Sequence, residues 1–110
     1  MPEYRDAGEV AMIARELINQ NHTHLKEASI AYLFRDPPAK SKGEEIMGKA
    51  SKVTGKYKEL TGKDFVIEIS EKHFFNLDDE SQAALVDHEL SHCWIDDEGK
   101  PTLLPHDFEG

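Results

Sequence analysis

A single cysteine, Cys93, stands in the chain, so no internal disulfide can form, which fits a reducing compartment. No apolar run approaches the roughly 20 residues that span a bilayer, and no apolar h-region follows Met1. Neither a membrane anchor nor a secretory leader is therefore expected, and the reading is cytoplasmic. Paired C-x-x-C motifs are absent, which removes a zinc ribbon. Basic residues are few: 13 Lys and Arg against 22 Asp and Glu give a net charge of −9, a balance that disfavours general affinity for nucleic-acid phosphates. Those that exist cluster at Lys40, Lys42, Lys49, Lys52, Lys56, Lys58 and Lys63, a pattern that reads as a solvated face. No repeat or low-complexity tract divides the 110 residues, so one domain over 1–110 is expected.

What is present is His88-Glu89-Leu90-Ser91-His92, inside the stretch Ala83–Ile95. Each helical residue advances about 100°, so histidines four apart lie about 40° apart around the axis and can grip one metal ion. Glu89 sits one step round, where it reaches a water on that metal. This is the H-E-x-x-H arrangement of zinc hydrolases, with the glutamate as general base. A chain of this composition yields it by chance only about 0.04 times. Asp78 reads as the N-cap of the motif helix, with Asp79 and Glu80 suiting its first turn. Val86, Leu90 and Cys93 fall on the face opposite the histidines and are expected in the core. Cys93 then reads as a buried thiol rather than a zinc ligand.

A catalytic zinc needs a third protein ligand. The metzincin spacing would put it at Glu98 and require glycine where Ile95 stands, so that pattern does not apply. The turn signal Asp97-Glu98-Gly99-Lys100-Pro101 can fold Thr102–His106 back over the helix. His106 is the expected third ligand and Glu109 the alternative, while Asp107 could orient an imidazole.

Apolar periodicity predicts an amphipathic helix over Asp6–Asn19, broken at Asn19–His24. Ala28–Phe34 reads as a strand before the Asp36-Pro37-Pro38 loop. Residues 39–62 are ambiguous, with a small strand near Ile46–Ala50 and a short helix around Lys56–Thr61. Phe65–Ser70 is the clearest strand and is expected to be the edge that pairs with an extended substrate. The fold class is α+β: an N-terminal helix, a small, mostly antiparallel sheet, then the metal helix, in the order of a minimal zincin. His22 and His24 read as solvated loop residues, His73 as packing, and Trp94 and Phe108 as core. Asp87 reads as a solvated helix residue. Tyr57 is a conceivable oxyanion donor that nothing in the sequence places.

The stretch Ala83–Cys93, followed by His106-Asp107-Phe108-Glu109, resembles the putative phage metallopeptidase family, a compact relative of the SprT-like zincins. Ile30–Arg35, Gly48-Lys49-Ala50 and Asp64–Ile67 also match its pattern. The resemblance implies zinc ligands at His88, His92 and His106 with Glu89 as base, acting on a protein or peptide in the host cytoplasm. It also implies a further helix after the H-D motif, which is not part of residues 1–110. The expected function is a zinc-dependent endopeptidase. The alternatives are a metal-dependent hydrolase of a non-peptide bond and a zinc-stabilised protein-binding module.

Overall fold

Strand β6 (Phe65–Ser70) organises the molecule, because its period-2 pattern buries Phe65, Ile67 and Ile69 completely on one face. The structure is a computed structural model that describes residues 1–104. β6 lies parallel to β2 (Ile30–Asp36), in register from Ile30 against Phe65 to Arg35 against Ser70, and antiparallel to β5 (Gly48–Lys52). The short β1 (Glu3–Asp6) adds antiparallel to the far side of β2, giving the order β1-β2-β6-β5. The main sheet is therefore mixed, with its parallel pair at the centre. The expected α+β class stands, and only the central pair departs from the antiparallel expectation.

Strand β6 is thus not an edge. It is hydrogen-bonded on both sides, to β2 and to β5. The edge strand on that side is β5. Sequence reading blurred this region because its elements are short. After β2 comes a hairpin, β3 (Lys40–Ser41) and β4 (Glu44–Glu45), closed by Lys42 and Gly43 with φ of 53° and 83°. Two positive φ values at the centre mark the primed turn that suits a tight hairpin. Helix α2 (Gly55–Thr61) follows β5 and buries none of its residues.

Helix α1 (Gly8–Asn21) starts two residues later than its apolar spacing suggested and buries Val10 and Ala14. A one-turn α3 (Glu71–Phe74) leads into α4 (Asp79–Leu90), which packs on α1 and buries Val86 and Leu90. With Phe34, the β6 residues, Phe74 and Cys93 these form one core. Each large side chain there contributes about 1.5–3 kcal/mol relative to exposure. Asp78 caps α4 as expected: its Oδ1 accepts from the Ser81 N–H at 2.8 Å, and that bond holds its carboxyl below the usual value. The described residues close with a hairpin of β7 (Cys93–Ile95) and β8 (Pro101–Leu103). No described helix is long and apolar enough to cross a membrane.

Candidate functional site

Helix α4 stops at Leu90, inside the motif, rather than continuing through Cys93. The Ser91 hydroxyl donates to the His88 carbonyl at 2.5 Å, and the His92 N–H turns to the Glu89 carbonyl at 3.2 Å. Both bonds span three residues and tighten the last turn, after which Cys93 enters β7. The motif is therefore a helix end running into a strand. His88 and Glu89 lie on the last turn, and His92 lies just beyond it.

The two imidazoles still converge. Their Nε2 atoms are 3.3 Å apart, with ring planes crossing at 86°. Two nitrogens bound at about 2.05 Å to one tetrahedral zinc would also stand about 3.3 Å apart. His92 is 3% exposed, and its Nδ1–H donates to the Leu104 carbonyl at 3.0 Å. A carbonyl can only accept, so Nδ1 carries the proton and Nε2 presents a lone pair towards His88. Leu104 is held twice, since its N–H also donates to the His92 carbonyl at 2.7 Å. The β7–β8 hairpin makes this return possible. Asp96 Oδ1 accepts from the Glu98 and Lys100 N–H groups at 2.9 and 2.8 Å, and Gly99 turns at φ 80°. The turn expected over Asp97–Pro101 is present, and it carries the chain back to His92.

Glu89 is 2% exposed and faces the start of β5. A Cβ on Gly48 would come within 3.0 Å of its Oε2 and 3.2 Å of its Cγ, and within 3.1 Å of the Ile69 Cδ1. Any larger residue there would require the carboxylate or Ile69 to give by a few tenths of an ångström. The sequence reading took Gly48 only as part of the family pattern and gave it no contact with Glu89, although a glycine inside a strand is a known mark of close approach.

Cys93 is fully buried, as expected. Burial first, and then the negative charge of Glu89, push its thiol up to about 12 from an ordinary 9.0. It stays neutral and is no thiolate ligand at neutral pH. Between about pH 9 and about 12 the unfolded chain gives up this proton while the folded one keeps it, so stability falls as pH rises through that window. At pH 8 the native thiol is expected to resist a chromogenic disulfide, and to react stoichiometrically once the chain is denatured.

Other residues lie differently from the sequence reading. Trp94 is 43% exposed because β7 turns Cys93 inward and its neighbour outward. Its ring packs on His24, 4.6 Å between centroids. His22 is half-buried rather than solvated, and Asp87 accepts from it, while His24 is exposed, as expected, yet its Nε2 bonds the Cys93 carbonyl. His73 bonds Ser70 Oγ through Nδ1 at 2.7 Å. Tyr57 is 61% exposed and borders a separate groove with Lys52, Val53 and Val66, so it is not brought to the histidine pair. His106, Asp107, Phe108 and Glu109 lie outside the described residues. Among the described residues no group of three or more His, Cys, Asp or Glu is gathered to hold a metal. A hollow of about 460 Å³ opens between α1 and the start of β2, lined by Arg15, Lys26, Tyr32 and Lys63, and includes none of the motif residues.

The donor chemistry fits a divalent transition metal: two neighbouring imidazole nitrogens, one of them fixed by a carbonyl, beside a buried carboxylate one residue from the first histidine. No curated protein and no solved structure matches the chain significantly. The family model described as putative phage metallopeptidase matches residues 2–110. Nearly the whole chain is covered, and the chain accordingly belongs to that family, a family of metal-dependent peptidases.

Proposed function

We propose that the protein is a zinc-dependent endopeptidase of minimal zincin type, with His88, His92 and His106 holding the metal and Glu89 as general base. The observation that carries this reading is the 3.3 Å approach of the two Nε2 atoms beside the buried Glu89. The third ligand has its own support. Leu104 is tied to His92 by two main-chain-directed bonds, and two further residues can extend at most about 7 Å. In sequence, His106 stands two residues after Leu104 and Glu109 five, and the shorter span favours His106 as the ligand.

When bound, zinc supplies a Lewis acid that acidifies water and polarises a substrate carbonyl. The His92 Nδ1–H bond to Leu104 fixes that ring's tautomer and orientation. Glu89 Oε2 takes the proton from the attacking water and passes it to the leaving amine. An extended peptide fits against β5, the edge strand whose first residue, Gly48, touches Glu89. Main-chain hydrogen bonds to that edge would carry the scissile carbonyl past the carboxylate.

Elemental analysis of the purified chain tests the metal reading. About one zinc per chain is expected, weakened in His106→Ala. A chain that takes up no zinc at neutral pH would overturn the proposal. If His106→Ala binds as wild type and Glu109→Ala does not, the third ligand is Glu109.

A further inference from the structure

The His22-Thr23-His24 pair, which the proposed chemistry does not use, lies directly behind the motif. His22 follows the last residue of α1, its N–H donating to the Ile18 carbonyl at 3.2 Å. A single 3-10 turn (Thr23–Leu25) comes next, anchored by the buried Leu25. The His22 side chain is only 11% exposed, and its Nε2 donates to Asp87 Oδ1 at 2.7 Å. His24 Nε2 donates to the Cys93 carbonyl at 3.3 Å while its ring packs against Trp94. Asp87 immediately precedes His88, and Cys93 immediately follows His92. The two rings, 5.9 Å apart, therefore grip the chain on either side of residues 88–92.

That segment has reason to need gripping, because it is where helix gives way to strand. Helix ends fray unless other groups hold them. An imidazole suits the task, being a flat donor on a stem with only two rotatable bonds. Both Nε2 atoms are committed as donors to oxygen acceptors, and among the described residues no group of three or more His, Cys, Asp or Glu gathers around the rings, so they act as supports. We propose that His22 and His24 are positioning residues, a clasp on Asp87 and the Cys93 carbonyl that keeps the His88 and His92 Nε2 atoms at their metal-gripping separation. The inference rests on the reading of that pair as metal-binding.

Zinc affinity, read by competition with a chromogenic chelator, and the visible bands of the Co²⁺-loaded full chain test it. His22→Leu/His24→Leu keeps bulk and removes both donors, while His22→Gln/His24→Gln keeps an amide N–H near the position of each Nε2. The leucine variant is expected to lose about tenfold in zinc affinity, the low end of the effect of outer-shell partners, and to shift the Co²⁺ bands. The glutamine variant is expected to stay within about threefold of wild type. Equal affinity in the leucine and glutamine variants would overturn the clasp, since packing alone would then explain both. Should the leucine variant fail to fold, His22→Leu and Asp87→Ala break one bond from its two ends and must show matching losses; unequal losses would overturn the proposal. Wild type that binds no zinc would defeat the peptidase reading and this inference together. Wild type that binds it, with every variant unchanged, would defeat the clasp alone.

Discussion

Glu89→Gln is expected to abolish hydrolysis while leaving zinc bound. The substitution keeps the shape of a side chain that is almost wholly buried between α4 and Gly48, so the fold and the two histidines are spared. What it removes is the ability to take a proton from water and return it to the leaving amine. Loss of a positioned general base costs about 10²–10⁴-fold in kcat. The assay is cleavage of a quenched fluorescent peptide library by the zinc-loaded chain, with metal content measured on the same samples. Full activity in the variant would sink the general-base assignment. Retained function without any hydrolysis in either protein would favour the zinc-stabilised binding module. An independent readout accompanies it: Glu89 charge helps to raise the Cys93 thiol, so that thiol should titrate lower in the variant.

Gly48→Ala is expected to lower kcat by about tenfold with little loss of zinc. The added methyl would meet Glu89 Oε2 at 3.0 Å and the Ile69 Cδ1 at 3.1 Å, both closer than ordinary carbon contacts. Ile69 is fully buried and cannot yield, so the carboxylate end moves instead. The carboxylate must give by a few tenths of an ångström, and since a full 1 Å misplacement costs on the order of 10²-fold, a loss of about tenfold follows. Overpacking at such a site destabilises by about 1–3 kcal/mol, partly offset by the better strand propensity of alanine. A thermal melt beside the kinetics separates the two effects. Unchanged kcat would mean that Glu89 does not need its berth against β5.

Several elements were legible because their cause is local. The motif needs only residue spacing to be seen. Asp78 was readable as a cap because an aspartate before an acidic first turn satisfies orphan N–H groups within the same turn. Phe65–Ser70 declared itself by alternation, and Asp97–Pro101 by its turn residues. The centrality of β6 was not legible, since alternation says which face is buried and nothing of how many neighbours flank a strand. The end of α4 at Leu90 was also hidden. Cys93-Trp94-Ile95 is apolar enough to prolong a helix, and only pairing with Pro101–Leu103 makes it a strand.

The histidine support shows the same division. His24 is exposed as its sequence suggested and His22 is not, and a sequence cannot say that residues 65 and 69 positions further along will supply the acceptors of the two rings. Gly48 is another case, since its lack of a side chain acquires meaning only once Glu89 is folded against it. The sequence by itself determined the spacing of the motif, the helix start that leads to it and the core residues that face away from it, because these follow from contacts within a few residues. The tertiary structure alone decided which strand is the edge, what lies against Glu89 and what grips the chain around His88 and His92. Those contacts join residues distant in the chain, and only packing brings them within reach.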